Sequence, residues 1–240
     1  MQDLLWRDDQ GLGMAEIWDG IWRIAAPFPI WLLHTPRIDA ASLLPLLSDE
    51  ERARAGRFRT DALHHRYVAA HGGMRLLIER QFGVPAASQL FACNDLGKPS
   101  LLGRSDVRSN ISYSGAHALV GLSQDREIGV DLEAVRAIED ALDLATIHYT
   151  PRERTALRQA RASGASYVDG FLRVWVRKEA CVKALGQGLS IPLDTVECGM
   201  KGKTTTVKFG KTQIHTGVVH LCNHVMNVSP GGLFIGWARI

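Results

Sequence analysis

Two short stretches carry residues whose types and spacing could do chemistry. GVDLE (residues 129–133) sets Asp131 and Glu133 two apart, and on a strand both side chains leave the same face with backbones about 7 Å apart. Two carboxylates so placed repel unless a cation lies between them. Oxygen ligands on one face suit Mg²⁺, which takes a few carboxylates together with phosphate oxygens and water; the plainer alternative is an exposed strand end. WVRKEACVKALGQGL (175–189) puts a carboxylate, Glu179, between two lysines inside an otherwise apolar helical pattern. Glu179 falls near the line of Trp175, Val182 and Leu185, and a carboxylate drawn out of water needs a partner. Lys183, one turn on, could supply an ordinary i,i+4 ion pair. The functional alternative makes Glu179 the third member of a magnesium-binding set with Asp131 and Glu133, and leaves Lys183 for a phosphate.

Other polar groups suit an anion. SNISYSGAHALVGL (109–122) supplies hydroxyls and turn backbone before a strand, and such turns often present N–H groups to anions. GKPS (97–100) sets an amine on a rigid turn, and Arg57, Arg59 and Arg66 add positive charge suited to phosphate. Each alone reads as a solvated surface feature; together they describe a polyphosphate site with magnesium. A rival set, His220, Cys222 and His224, alternates on one strand face at a spacing that could hold zinc, but it lacks an evident fourth ligand. The lysines of KGKTTTVKFGK (201–211) raise nucleic acid as a partner, yet Phe209 alone is there to stack a base, so a solvated hairpin is the reading.

Positioning these groups requires elements the pattern supplies. SDEE at 48–51 and TPRE at 150–153 are capping boxes, the second with Pro at the first helical position. Each precedes a longer helix. Apolar residues at helical spacing run from 61 to 82 and end at Gly83, and again from 167 to 185, ending at Gly186. Strands are expected at 16–24, 30–34, 118–123, 128–133, 205–209, 214–221 and 233–240. Overlaying 61–77 on 169–185 pairs Tyr67 with Trp175, Val68 with Val176, Arg75 with Lys183 and Leu77 with Leu185. The chain therefore reads as α+β twice, two similar halves (1–125 and 126–240) joined near 124–127, with a small-molecule site expected in the cleft between them.

The 240 residues, 46% hydrophobic and 22% charged, suffice for a sizeable core, and a net charge of +3 is too weak for a nucleic-acid-binding signature. The four cysteines form no CxxC pair, which points to free thiols and a cytoplasmic setting. The apolar run at 24–33 holds two prolines and is too short to span a membrane, so it reads as a buried strand.

In order along the chain, GKP, NIS-x-SG, GVDLE, TPRE and W-x-x-KEA-x-x-K-x-x-G-x-GLS-x-PLD resemble the 4′-phosphopantetheinyl transferases of the Sfp type, which activate carrier proteins of peptide, polyketide and fatty-acid synthases. The resemblance runs from about residue 54 to 195 and implies a pseudo-dimer of two α+β halves with coenzyme A in the cleft. It implies that Asp131, Glu133 and Glu179 bind Mg²⁺ on the pyrophosphate and that Lys183 steadies the leaving diphosphate. Glu179 would take the proton of the carrier serine as it attacks the β-phosphate, releasing 3′,5′-ADP. Lys98 and Pro99 match the motif beside the adenosine, Arg66 matches the helical HR pair, Ser112 the phosphate-binding turn, and Arg59 matches more loosely. Tyr113 stands where the family often has a His associated with the 3′-phosphate, and Ser109 where an aromatic residue is frequent. A phenol donates one hydrogen bond but cannot become cationic, so the 3′-phosphate is expected to bind more weakly or to lean on Lys98 and an arginine. The expected partners are a carrier protein and coenzyme A, without nucleic acid or membrane, and the expected state is a monomer. The alternatives are a non-catalytic module that binds coenzyme A or a carrier protein, and a magnesium phosphohydrolase.

Overall fold

The computed structural model describes residues 5–7, 13–164, 166–187, 190–221 and 232–240. Cys222 and His224 of the rival zinc set lie outside them. Contacts divide the chain into two compact units, Met1–Asn94 with Pro99–Asp125, and Asp95–Lys98 with Arg126–Ile240. The protein is mixed α+β. Among the described residues no helix is long and apolar enough to cross a membrane.

The first unit contains, in chain order, β1 (Leu5–Arg7), β2 (Gly13–Trp18), β3 (Ile21–Ile24), β4 (Ile30–His34), α1 (Ala40–Leu43), α2 (Asp49–Ala55), α3 (Asp61–Phe82), β5 (Phe91–Cys93), β6 (Pro99–Leu101), β7 (Val107–Ser114) and β8 (His117–Gln124). Its main sheet is antiparallel with the order β1-β2-β3-β4-β8-β7. The stretch 16–24, read above as one strand, is a hairpin instead. Asp19-Gly20 between apolar runs is a strong hairpin signal, and Gly20 takes the required positive φ of 76°. Likewise 109–114, expected to be turn backbone, belongs to β7, and the reversal comes at Gly115.

The capping box of α2 ties that helix to α3. Glu51 accepts the Ser48 N–H at 2.8 Å, the buried Arg75 guanidinium at 2.6 Å and lies 3.3 Å from His71 Nδ1. Burial alone would push the Glu51 carboxyl up; the bonds from His71, Ser48 and Arg75 outweigh it and hold it at about 2.

The second unit contains β9 (Ile128–Ala134), α4 (Ala141–His148), α5 (Pro151–Ala162), α6 (Tyr167–Leu185), β10 (Thr204–Phe209), β11 (Thr212–Leu221) and β12 (Leu233–Arg239). Its antiparallel sheet has the order β10-β11-β12-β9. Helix α6 starts at the Ser166 cap and stops at Gly186, whose φ is 68°. The first half of α6 packs Phe171, Leu172, Val174 and Val176 with Tyr149, Leu157, Val218 and Phe234. Its second half packs Ala180, Cys181, Val182 and Ala184 with Val196, Val207, Ile214 and Ala238.

Candidate active site

Asp131 and Glu133 lie on β9 and Glu179 and Lys183 on α6, so the site depends on how closely that helix approaches that strand. Two glycines set the distance. A Cβ on Gly129 would fall 2.0 Å from the Ala180 carbonyl oxygen, and one on Gly236 of β12 would fall 2.1 Å from that of Val176. Gly236 is the register partner of Asp131, and Ala238 that of Gly129. Helix α6 thus rests on sheet backbone at two neighbouring strands, where any side chain would hold it away.

At that crossing Lys183 turns away from its own helix. Its Nζ donates to Asp131 Oδ1 at 2.6 Å and to the Val130 carbonyl at 3.2 Å. In place of the i,i+4 pair that the spacing allowed, Lys183 makes a bond from helix to strand. Asp131 is buried, and Glu133 and Glu179 are half-buried. Among the described residues no hydrogen bond or ion pair reaches the Glu179 carboxylate. Burial pushes its carboxyl up, Asp131 and Glu133 push the same way, and the Lys183 ammonium pulls it back.

Three oxygen acids in mutual electrostatic reach are the donor type that a hard divalent cation takes, and the cation would offset the repulsion that raises Glu179. Among the described residues no group of three or more His, Cys, Asp or Glu lies so as to hold a metal ion. The three acids match such an ion in donor type alone, with Asp131 held by Lys183.

Lys98 is drawn to the same end of α6. Its amine donates to Glu127 Oε2 at 2.5 Å, Ala184 O at 3.2 Å and Ile128 O at 3.3 Å. Next to it, Pro99 opens β6. Within the first unit, Arg59 is exposed between α2 and α3, Ser112 is buried on β7, and Arg66 donates to the Gly115 carbonyl at 3.0 Å. Arg66 also lines a cavity of about 560 Å³ with Thr35, Pro36, His65, Gly115 and Ala116.

The model of the 4′-phosphopantetheinyl transferase superfamily matches residues 127–228, which include Asp131, Glu133, Glu179 and Lys183. A provisionally named 4′-phosphopantetheinyl transferase of Synechocystis sp. is 34% identical over 170 residues, 70% of this chain and 68% of that protein. The 4′-phosphopantetheinyl transferase HetI of Nostoc sp. is 32% identical over 75% of this chain and 73% of its own length. The 4′-phosphopantetheinyl transferase Sfp of Bacillus subtilis is 28% identical over 63% of this chain and 66% of its own length. The chain belongs to the 4′-phosphopantetheinyl transferase family.

For this transferase the sequence reading missed one group entirely. Lys178, which precedes Glu179, is fully buried and pairs with Glu153 of the second capping box at 2.7 Å. Its Nζ also donates to the carbonyls of Leu193 at 2.8 Å and Val196 at 2.6 Å. Glu153 in turn accepts the N–H groups of Thr150, Cys198 and Gly199. Arg177, also buried, donates to the carbonyls of Gly199, Lys201 and Gly202. Adjacent residues of one motif thus divide the work: 177 and 178 tie α6 to the 193–202 segment, while Glu179 faces β9. The signal was present in the pattern, since a lysine one place from a site acid falls about 100° round the helix from it.

Proposed function

We propose that the transferase moves the 4′-phosphopantetheine group of coenzyme A to a serine hydroxyl of an apo carrier protein of a peptide, polyketide or fatty-acid synthase. The observation that carries this reading is Glu179, a half-buried carboxylate with no side-chain hydrogen bond among the described residues, beside the Asp131–Lys183 pair. A carboxylate in that state is suited to accept a proton, directly or through one water. The serine Oγ attacks the β-phosphorus of coenzyme A, its proton passes to Glu179, the pyrophosphate P–O bond breaks, and 3′,5′-ADP leaves. Lys183, anchored at Val130 and Asp131, keeps a cation at the C-terminal turn of α6 to face the leaving diphosphate.

Asp131, Glu133 and Glu179 would hold Mg²⁺. When bound, the ion supplies neutralisation of charge on phosphate oxygens. On the coenzyme A side we assign Lys98 and, in the first unit, Arg59, Arg66, Pro99 and Ser112, with Tyr113 beside Arg66. We read the two halves as similar units; each has a capping-box glutamate that grips a buried base of the following long helix, although the two bases are not partners in the overlay of 61–77 on 169–185. We take the enzyme to act as a cytoplasmic monomer.

Intact-mass spectrometry of an apo carrier protein incubated with the enzyme, coenzyme A and Mg²⁺ tests the reading. A gain of roughly 340 Da that EDTA abolishes is expected for metal-assisted transfer. Bound coenzyme A with no gain on any of the three carrier types would favour the non-catalytic module, and coenzyme A cleavage without a carrier would favour the phosphohydrolase.

A further inference from the structure

We infer that Tyr113 acts through its ring, as the positioning residue for Arg66, and that its hydroxyl is not a substrate contact. The inference rests on the reading above only in taking Arg66 as a contact to a phosphate of coenzyme A. Tyr113 lies on β7, two residues before the reversal at Gly115. Its Oη is buried and meets no hydrogen-bond partner among the described residues. Burial pushes the phenol well above its usual range, and Tyr67 adds to the shift. A hydroxyl in that setting is turned into the unit and cannot donate to an anion in solvent without leaving its place.

The ring has a different set of neighbours. It packs against the core of the first unit. It also continues a ladder in which Tyr67 stacks on His71 at 4.0 Å between centroids and His71 stacks on Tyr113 at 6.4 Å. The Arg66 guanidinium lies 5.5 Å from the Tyr113 centroid, and its Nη1 donates to Gly115 O at 3.0 Å. A ring face and a carbonyl together fix a planar cation while leaving most of its five N–H donors for an anion. Arg66 is held in that pose at the wall of the 560 Å³ cavity. The cation at this wall of the cavity is thus Arg66, with the Tyr113 ring as its platform.

A double-mutant cycle on the full enzyme tests this, with the KM for coenzyme A and kcat measured for Tyr113→Leu, Arg66→Gln and the double variant, and folding checked by circular dichroism. Loss of the platform should raise KM about two- to fivefold with kcat little moved. Arg66→Gln should raise KM further, and the double variant should be no worse than Arg66→Gln alone, because one residue acts through the other. Tyr113→Phe, which keeps the ring, should retain the coupling to Arg66 and guards against a folding defect in the Leu variant. Effects that multiply, a KM unmoved by Arg66→Gln, or a Tyr113→Phe defect as large as that of Tyr113→Leu would each overturn the inference. Absence of any transfer by the parent enzyme would instead sink the proposed function.

Discussion

Replacing Lys178 by Met keeps the length and apolar stem of the side chain and deletes its charge. The Lys178 side chain is 0% exposed and that of Glu153 1%, so water cannot compensate for the loss. The variant leaves the Glu153 carboxylate buried without its cation and the Leu193 and Val196 carbonyls without a donor. Breaking a buried pair from one side costs about 3–5 kcal/mol. The N–H bonds from Thr150, Cys198 and Gly199 place the expected cost toward the lower end. In a chain of this size that corresponds to a fall in thermal midpoint of roughly 6–20 °C. Urea unfolding of Lys178→Met, Glu153→Gln and the double variant gives the assay. The double should lose less than the sum of the singles by about 1–3 kcal/mol, because neutral Gln no longer needs a cation. A cost below about 1 kcal/mol for Lys178→Met, or strict additivity, would refute a buried pair that holds α6 to the segment after it.

Three further outcomes are expected. Glu179→Gln should lower transfer by about 10²–10⁴-fold without loss of stability, since burial and the neighbouring Asp131 and Glu133 all disfavour the charge that the variant removes; a destabilised, active variant in carrier-loading assays would contradict this. Gly129→Ala should fold poorly, because the new methyl meets the Ala180 carbonyl at 2.0 Å, backbone that cannot step aside; a melting temperature equal to the parent's would show that the helix-to-strand contact is slack. His117, stacked on His34 at 4.9 Å, is held down at about 4 by burial and by His34. The unfolded chain takes up that proton first, so stability is intact above the ordinary imidazole range near 6.5 and declines as pH falls toward 4. His117→Leu should flatten that slope in unfolding midpoints measured across pH, and an unchanged slope would exclude this histidine as its source.

The helices were legible because their signals are local. Ser48 and Thr150 accept the N–H groups three residues on as the capping boxes require, and Gly83 and Gly186 take the left-handed conformation that ends α3 and α6. The paired acids of GVDLE were legible as well, since a period of two sends both to one face. The 16–24 stretch was misread for want of weight on Asp19-Gly20. The strand at β7 was misread because hydroxyls and glycine in SNISYSG resemble turn chemistry, while its burial against β8 comes from residues far along the chain.

The sequence by itself determined which residue types the chemistry has available: three acids, a lysine one turn beyond Glu179, and arginines for phosphate. Those follow from short-range periodicity and composition, which need no partner element. Only the tertiary structure decided what each charge does. Lys183 bonds Asp131 across to the strand, Lys178 pairs with Glu153, and Tyr113 carries Arg66 on its ring. The physical reason is that a charged side chain settles its partner by distance and burial, and both are fixed by elements that meet only after folding, here at Gly129 and Gly236, where the helix comes to rest on the sheet.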